Sequence, residues 1–225
     1  MELKSLYTVV IQTEAEKEKY YHMLVELAKM YDKSFKDDDG KENYFGSILP
    51  RVGSDFAFPK TEIHIAYSDE HGILGGAIYD VYGVGKATEY FNVYEHVHLI
   101  YLFVNEKFRR MGIGSLLIQQ GRQTYHDETI FLEIDKEDRD VMNFYKRNNA
   151  KVLLENYVQP PLQKGYGWCR NYNLCHIGAK PSNNHVWKFL VSFYQSVSAL
   201  ETEDGQEKLN EMGKSLNEGP IWVSE

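Results

Sequence analysis

Residues 96–120, HVHLIYLFVNEKFRRMGIGSLLIQQ, constrain the chain more than any other stretch. An apolar strand ends at Val104, a charged turn follows, and Arg109-Arg110-Met111-Gly112-Ile113-Gly114 opens an amphipathic helix. A strand running into a glycine-bearing helix start presents several backbone N–H groups without intrahelical partners, backed by the positive end of the helix dipole. Such a terminus is a seat for a phosphate or pyrophosphate. The glycines remove side chains that would hold an anion away, and Arg109 and Arg110 add positive charge.

Around that seat, 225 residues suit one domain of ordinary size with an appendage, or two small ones. Apolar residues make up 43% and aromatic residues 14% of the chain, ample core material, so disorder is expected only locally. No apolar run approaches the ~20 residues needed to cross a bilayer. The start, MELKSLYTVVIQTEAEKEK, is too polar for a signal peptide, and a cytoplasmic location is expected. Cys169 and Cys175 lack CxxC spacing, which argues against a disulfide scaffold or a zinc site. A formal charge of −8 disfavours general nucleic-acid binding and permits a cationic substrate. The plainer reading of that acidity is solubility.

In chain order, residues 5–12 read as a β-branched strand. Thr13 can cap the following helix, with Glu14 and Glu16 in its first turn. Tyr20, Leu24, Leu27 and Met30 recur at helical spacing, predicting one helix over residues 14–30. Residues 33–53 are polar and irregular and read as a long loop with room for a short helical turn; loops of that length commonly cover a site or move. Residues 61–67 and 73–82 form a hairpin about the turn 69–72, with Gly75-Gly76 marking a bulge or a close backbone approach. Residues 89–104 contain the strand that enters the anion seat. After the helix from 112 to about 126, residues 129–134 form a compact strand. This spacing implies two parallel neighbouring strands joined by a right-handed crossover. A helix over 138–148 ends at Asn149, suited to a left-handed cap. Strands over 151–158 and 168–177 flank the turn 159–165 and close an antiparallel pair. Beyond Pro181, Trp187, Leu190, Val191 and Tyr194 form a helical stripe, followed by a charged stretch that ends in Ile221-Trp222-Val223.

The order strand, helix, hairpin, strand, Arg-x-x-Gly-x-Gly helix, strand, FY-helix, two strands resembles the GNAT superfamily of acyl-CoA-dependent N-acetyltransferases. Arg109-x-x-Gly112-x-Gly114 matches that superfamily's pyrophosphate-loop pattern. Residues 138–150, DRDVMNFYKRNNA, look like its later helix, whose tyrosine lies near the cofactor sulfur. Tyr157-Val158-Gln159-Pro160-Pro161-Leu162 resembles a strand-and-turn piece of many bacterial members. The likeness runs over residues 6–178 and implies an α/β (α+β) fold. Its central sheet would be mixed and mostly antiparallel, with a parallel splayed strand pair, flanked by helices. A GNAT-like domain over 1–180 and a C-terminal helical extension over 181–225 follow from the same boundaries, the extension packing on the domain or on a partner subunit.

The resemblance also implies a chemistry. Acetyl-CoA would be the cofactor, its pyrophosphate bound by Arg109, Arg110, Met111, Gly112, Ile113, Gly114 and Ser115. Leu102, Phe103 and Val104 would line its pantetheine arm like an added strand. An acetyl group would pass to a primary amine by direct attack in a ternary complex. A base must take a proton from the ammonium, and an acid can protonate the departing thiolate. Tyr145, at the FY position beside Phe144, is the candidate acid; the plainer reading makes it one of seventeen packing tyrosines. His98 is the first candidate base, since an imidazole pKa near ~6.5 suits proton removal at neutral pH. Glu133 is the alternative, His96 stands behind both, and many members use a water relay. A bulge before the cofactor would move His98 to the other face. Asn149-Ala150 departs from the family's common Gly-Phe, losing an aromatic contact, and Asn takes the left-handed turn at some cost.

Other motifs fail. Gly83-Val84-Gly85-Lys86-Ala87 suggests a P-loop, but Asp80 stands where Gly is needed and Ala87 replaces Ser or Thr. No GxGxxG follows a first strand, and His22, His64, His71, His126, His176 and His185 have no metal-site spacing. A cysteine nucleophile is disfavoured because Cys169 and Cys175 fall on the late strand. The expected partner is a small-molecule amine, without nucleic acid or membrane, and a homodimer is left open. A cationic antibiotic, a polyamine, an amino acid and a protein amine all remain open as acceptors. The other functional class is a catalytically idle acyl-CoA-binding or regulatory module.

Overall fold

The computed structural model describes residues 5–34, 45–83, 96–126, 128–162 and 167–217. The expected strand start at 89–95, most of the rejected P-loop segment, part of the 159–165 turn and Ile221-Trp222-Val223 lie outside the described residues. The chain forms two compact units, Met1–His126 and Asp127–Glu225.

The first unit is an antiparallel meander of β1 (Leu6–Ile11), β2 (Lys60–Ser68), β3 (Gly72–Tyr82) and β4 (His96–Val104). Thr13 starts α1 (Glu14–Lys19) with a capping box: its hydroxyl accepts from Glu16 N–H at 3.2 Å, while Glu16 accepts from the Thr13 N–H at 3.0 Å. The single helix expected over 14–30 is broken at Tyr20. Tyr20 leaves helical geometry, and its carbonyl accepts from both Met23 and Leu24 as α2 (Tyr21–Ser34) begins. α1 buries nothing, so no packing holds it in line with α2, which seats Met23, Leu24, Leu27 and Tyr31 in the core. The expected long loop contains the short α3 (Phe45–Ile48), with Phe45 and Ile48 buried. α2 lies on the face of Ile63, Ile65, Ile78 and Phe103. Gly76 is required there, since a Cβ would come within 2.7 Å of Leu27. The opposite face receives α4 (Ile113–Thr124), where a Cβ on Gly121 would overlap the Tyr79 hydroxyl. A bulge at Leu74, opposite Ala66 and Tyr67, accompanies the Gly75-Gly76 pair.

In the second unit, β5 (Thr129–Asp135) pairs antiparallel with β7 (Tyr172–Gly178), which pairs antiparallel with β6 (Lys151–Leu154). The strand expected over 151–158 therefore stops at Leu154, and β7 starts at Tyr172 rather than Trp168. Only an isolated bridge between Gln159 and Cys169 continues the pairing. Between β5 and β6 runs α5 (Arg139–Arg147), capped by Asp138, whose carboxylate accepts from Val141 N–H at 2.9 Å. Asn149 takes the left-handed turn at φ 66°. α6 (Asn183–Ser196) lays Phe189 flat on Phe131, with ring centroids 4.1 Å apart. The charged stretch after it is a helix, α7 (Glu203–Leu216), capped by Thr202 and burying Leu209, Met212 and Leu216. Both units thus combine antiparallel strands with flanking helices, as the mixed α/β class requires. Among the described residues no helix is long and apolar enough to cross a membrane.

Gly205 lies in the first turn of α7, where helix propensity alone favours alanine by about 1 kcal/mol. A Cβ there would overlap the Ala199 carbonyl oxygen, which is backbone and cannot swing away. Steric cost wins. Gly205→Ala is expected to destabilise the protein by about 1–3 kcal/mol in urea unfolding; a stabilised variant would show that this contact relaxes freely.

Candidate active site

The anion seat is built by the end of β4. The Asn105 N–H donates to Leu74 O at 2.9 Å, and its side chain accepts from Lys107 N–H at 3.2 Å, starting a 3-10 turn over Glu106–Phe108. Phe108 is buried beside His71 and anchors the turn. Arg109 is extended, and its Nε donates back to Val104 O at 3.3 Å. Arg110 and Gly112 both take positive φ, 64° and 85°. These two left-handed residues turn the chain into α4, with Gly112 as its cap. The helix's first i→i−4 bond is Leu116 N–H to Gly112 O, at 2.9 Å. The amides of Ile113, Gly114 and Ser115 precede that bond, as an anion site needs. A Cβ on Gly112 would meet nothing within 4 Å, so the chain approaches this space with backbone alone. Arg109, Arg110 and Gly112 are exposed, Met111 is half-buried, and Ile113 is buried as the helix's anchor. The turn suits a phosphate or pyrophosphate. Of the residues expected to line the pantetheine arm, Phe103 turns its ring into the core at 5.7 Å from Tyr31, and Leu102 and Val104 are half-buried.

A bulge decides where the β4 histidines point. Tyr79 pairs with Leu99 and Ile78 with Tyr101, leaving Ile100 as the extra residue. His98 therefore shares the α2 face with Tyr101 and Phe103, not the face of Leu102 and Val104. It is fully buried in register with Asp80, and His96 is buried opposite Tyr82. Asp80 accepts from Thr61 Oγ1 at 2.7 Å and from Arg51 at 3.0 Å.

On the opposite face, the far end of α4 is seated by a polar cluster. Tyr125 donates to Glu62 Oε2 at 2.8 Å, Gln12 donates to the same oxygen at 2.7 Å, and Thr8 donates to Gln120 at 2.8 Å. Burial, followed by the Glu62 charge, holds the Tyr125 phenol pKa well above its ordinary value. His64 lies beside them, 4.7 Å from the Tyr79 ring and stacked 5.9 Å from Tyr125. It is fully buried, and neither ring nitrogen has a hydrogen-bond partner among the described residues. Desolvation lowers its pKa to about 3, so the imidazole is neutral.

In the second unit the strands sort the candidate acid and base by face. Glu133 is opposite Leu174, and Leu132 is opposite Cys175. Since neighbours along a strand alternate, Glu133 shares the Phe131 face, where α6 packs, and Cys175 lies on the other. Tyr145 belongs to the Cys175 side: burial first, and the Cys175 thiol second, push its pKa well upward. The residue as a whole is half-buried, with its phenol turned inward. Cys175 is itself pushed up to about 12 by burial, an inert thiol rather than a nucleophile. Glu133 is half-buried and accepts a hydrogen bond from the hydroxyl of fully buried Tyr157. Spacing along the chain gives no signal for this pair, because 24 residues separate its members. Among the described residues no group of three or more His, Cys, Asp or Glu side chains is placed to hold a metal ion.

The helix start of the first unit is of the class that seats a phosphate-bearing carrier. Residues 24–149, more than half of the chain, match the Acetyltransferase (GNAT) family, and the chain belongs to that family. It is an acetyl-CoA-dependent N-acetyltransferase. Similar proteins include the N-alpha-acetyltransferase of Sulfolobus acidocaldarius, 25% identical over 61% of this chain and 68% of that protein. The N-alpha-acetyltransferase of Sulfurisphaera tokodaii is 22% identical over 61% of this chain and 70% of that protein. Among solved structures, Arabidopsis thaliana Naa50 with a bisubstrate analogue is similar at 16% identity and a TM-score of 0.48, covering 77% of this chain and 98% of that one. An aminoglycoside acetyltransferase from an uncultured soil metagenomic sample is similar at 19% identity and a TM-score of 0.47, covering 64% of this chain and 86% of that one.

The neutral His64 makes the seating of α4 sensitive to acid. Its folded pKa lies below the unfolded value of about 6.5, so its contribution is complete above that pH and is lost as pH falls toward about 3. Across that window this one group adds a slope of about 1.4 kcal/mol per pH unit. His64→Leu is expected to remove the slope, read as unfolding free energy against pH. An unchanged slope would show that the imidazole protonates without cost in the folded protein.

Proposed function

We propose that the protein transfers the acetyl group of acetyl-CoA to a primary amine by direct attack, with Glu133 as base and Tyr145 as the proton donor to the leaving sulfur. The observation that carries this reading is the placement of Glu133 and Tyr145 on opposite faces of the β5–β7 pair. The amine nitrogen forms its bond to the acetyl carbon and loses a proton, while the C–S bond breaks and the thiolate gains one, so two separate groups can serve the two proton transfers. Bound acetyl-CoA supplies a thioester carbonyl open to attack. Arg109, Arg110 and the amides of residues 112–115 hold its pyrophosphate, and the backbone of residues 102–104 borders its pantetheine arm.

Glu133 is favoured over His98 because the residue is only half-buried, whereas His98 has no accessible surface and faces Asp80. A base must come within hydrogen-bond reach of the ammonium. His98 serves through a water relay if it serves at all, and His96 is enclosed in the same way. Tyr145 keeps its proton throughout the neutral range because burial raises its pKa. Its part is then to hydrogen-bond the departing sulfur, and its ionisation lies above the neutral pH–rate profile.

Two acceptor classes have support. The net charge of −8 favours a small cationic amine. The two N-alpha-acetyltransferase relatives favour the α-amino group of a polypeptide. In this proposal residues 1–180 are the acetyltransferase domain and residues 181–225 its extension.

Thiol release from acetyl-CoA with spermidine, an aminoglycoside, free amino acids and short peptides separates the acceptor classes; coenzyme A binding without turnover across the panel would favour an idle module. Tyr145→Phe is expected to lower kcat by about 10- to 100-fold with KM for acetyl-CoA unchanged. Unchanged turnover at unchanged stability would dispose of its role. His98→Gln is expected to leave the pH–rate profile in place, and a moved profile would return the base to His98. Gly112→Ala forces a side-chain-bearing residue into the left-handed region at about 1 kcal/mol and is expected to weaken coenzyme A binding by about tenfold in calorimetry.

A further inference from the structure

The two C-terminal helices close on one short stretch of chain. β6 ends at Leu154, so residues 156–158 run outside the ladder before Gln159 and Cys169 exchange backbone hydrogen bonds of 2.8 and 3.1 Å. Buried backbone groups off the ladder need other partners. Val158 is buried and finds both of its partners in the extension. Its carbonyl accepts from the Tyr194 hydroxyl of α6 at 2.6 Å, and its N–H donates to the Met212 sulfur of α7 at 3.4 Å. Asn156 donates through Nδ2 to Ser215 Oγ of α7 at 2.9 Å. The residue between these two clamps is Tyr157, which has no accessible surface and donates its hydroxyl to Glu133.

We propose that Tyr157 is a positioning residue for acetyl transfer: its hydroxyl orients the Glu133 carboxylate, and α6 and α7 hold it there through Asn156 and Val158. This rests on the assignment of Glu133 as base. A phenol O–H donated to one oxygen of a carboxylate fixes the rotation of that group about its last bond. The proton leaves the amine nitrogen for a carboxylate oxygen, and Tyr157 keeps its own. Tyr194 reports the same charge from the other side: burial first, then the Glu133 carboxylate, raise its phenol pKa. The extension thus acts on Glu133 through Asn156, Tyr157 and Val158.

The test uses the full chain, with thiol release from acetyl-CoA measured against pH, and spermidine and a short peptide with a free α-amino group as acceptors. Glu133→Gln is expected to lower kcat by about 100-fold or more and to abolish the acid limb of the kcat/KM profile. Tyr157→Phe keeps the ring and is expected to lower kcat by about tenfold with KM for acetyl-CoA unchanged. Tyr194→Phe removes only the bond to the Val158 carbonyl and is expected to lower kcat by less, again with KM unchanged. If Glu133→Gln retains full rate and an unmoved limb, the base assignment itself is wrong. If Glu133→Gln is impaired while Tyr157→Phe keeps full kcat, the base stands and the positioning role is overturned. Should Tyr157→Phe not fold, Tyr194→Phe decides the matter, and an unchanged kcat there overturns the proposal.

Discussion

The extra residue Ile100 in β4 sets the parity on which the first unit depends. Side chains alternate along a strand, so inserting one residue exchanges the faces of everything beyond it. Before the bulge, His98 faces α2 alongside Asp80 and Thr61; beyond it, Tyr101 and Phe103 take that face and fill the core against Tyr31. Leu102 and Val104 are thereby left on the α4 face, where the chain turns through Arg110 and Gly112 into the helix. Without Ile100, the aromatic pair that anchors α2 and the strand that borders the proposed cofactor arm would change places.

Partly enclosed carboxylates recur through both units, and each accepts a hydrogen bond from a neutral donor. Glu62 accepts from Tyr125 and Gln12, Glu133 from Tyr157, and Asp80 from Thr61, with the Arg51 guanidinium pairing with Asp80 as well. A hydroxyl or amide donor satisfies a carboxylate lone pair without cancelling its charge. For Glu62 the result is structural, since its donor Tyr125 closes the C-terminus of α4. Glu133 differs in keeping solvent access, which is the property a base needs. His64 is the exception to this pattern, a buried ring whose nitrogens gain nothing from neighbours and whose neutrality depends on desolvation alone.

Much of this architecture was legible in the sequence because it rests on local signals. The Thr13 cap, the 69–72 turn, the glycine pair at 75–76, the Arg-x-x-Gly-x-Gly turn and the left-handed Asn149 each state their geometry within a few residues. What was lost depends on contacts between distant segments. Periodicity runs through Tyr20 without a break, yet packing reaches only the part that becomes α2. The apolar run after Lys151 continues past Leu154, but its later backbone groups turn to helices instead of a neighbouring strand. The face of His98 hinges on a one-residue bulge that no composition rule marks. Tyr157 could be seen as part of a familiar piece, but its partner Glu133 lies on another strand.

The C-terminal helix α7 lies inside the helical extension expected over residues 181–225, although its own composition marks it only weakly. Its charged residues outnumber its apolar ones, and the buried stripe is narrow, Leu209, Met212 and Leu216 with two glycines. Those glycines are where the helix comes closest to its surroundings: Gly205 over the Ala199 carbonyl, and Gly213 where a Cβ would come within 2.7 Å of the Trp187 ring. Small residues lower helix propensity but permit this approach, and the approach brings Met212 and Ser215 within bonding range of residues 156–158. This charged segment is therefore tied by close packing to the chain around Glu133. Substitutions chosen only for helix propensity would act against that contact, so in this extension the weaker helix former supports the tighter structure.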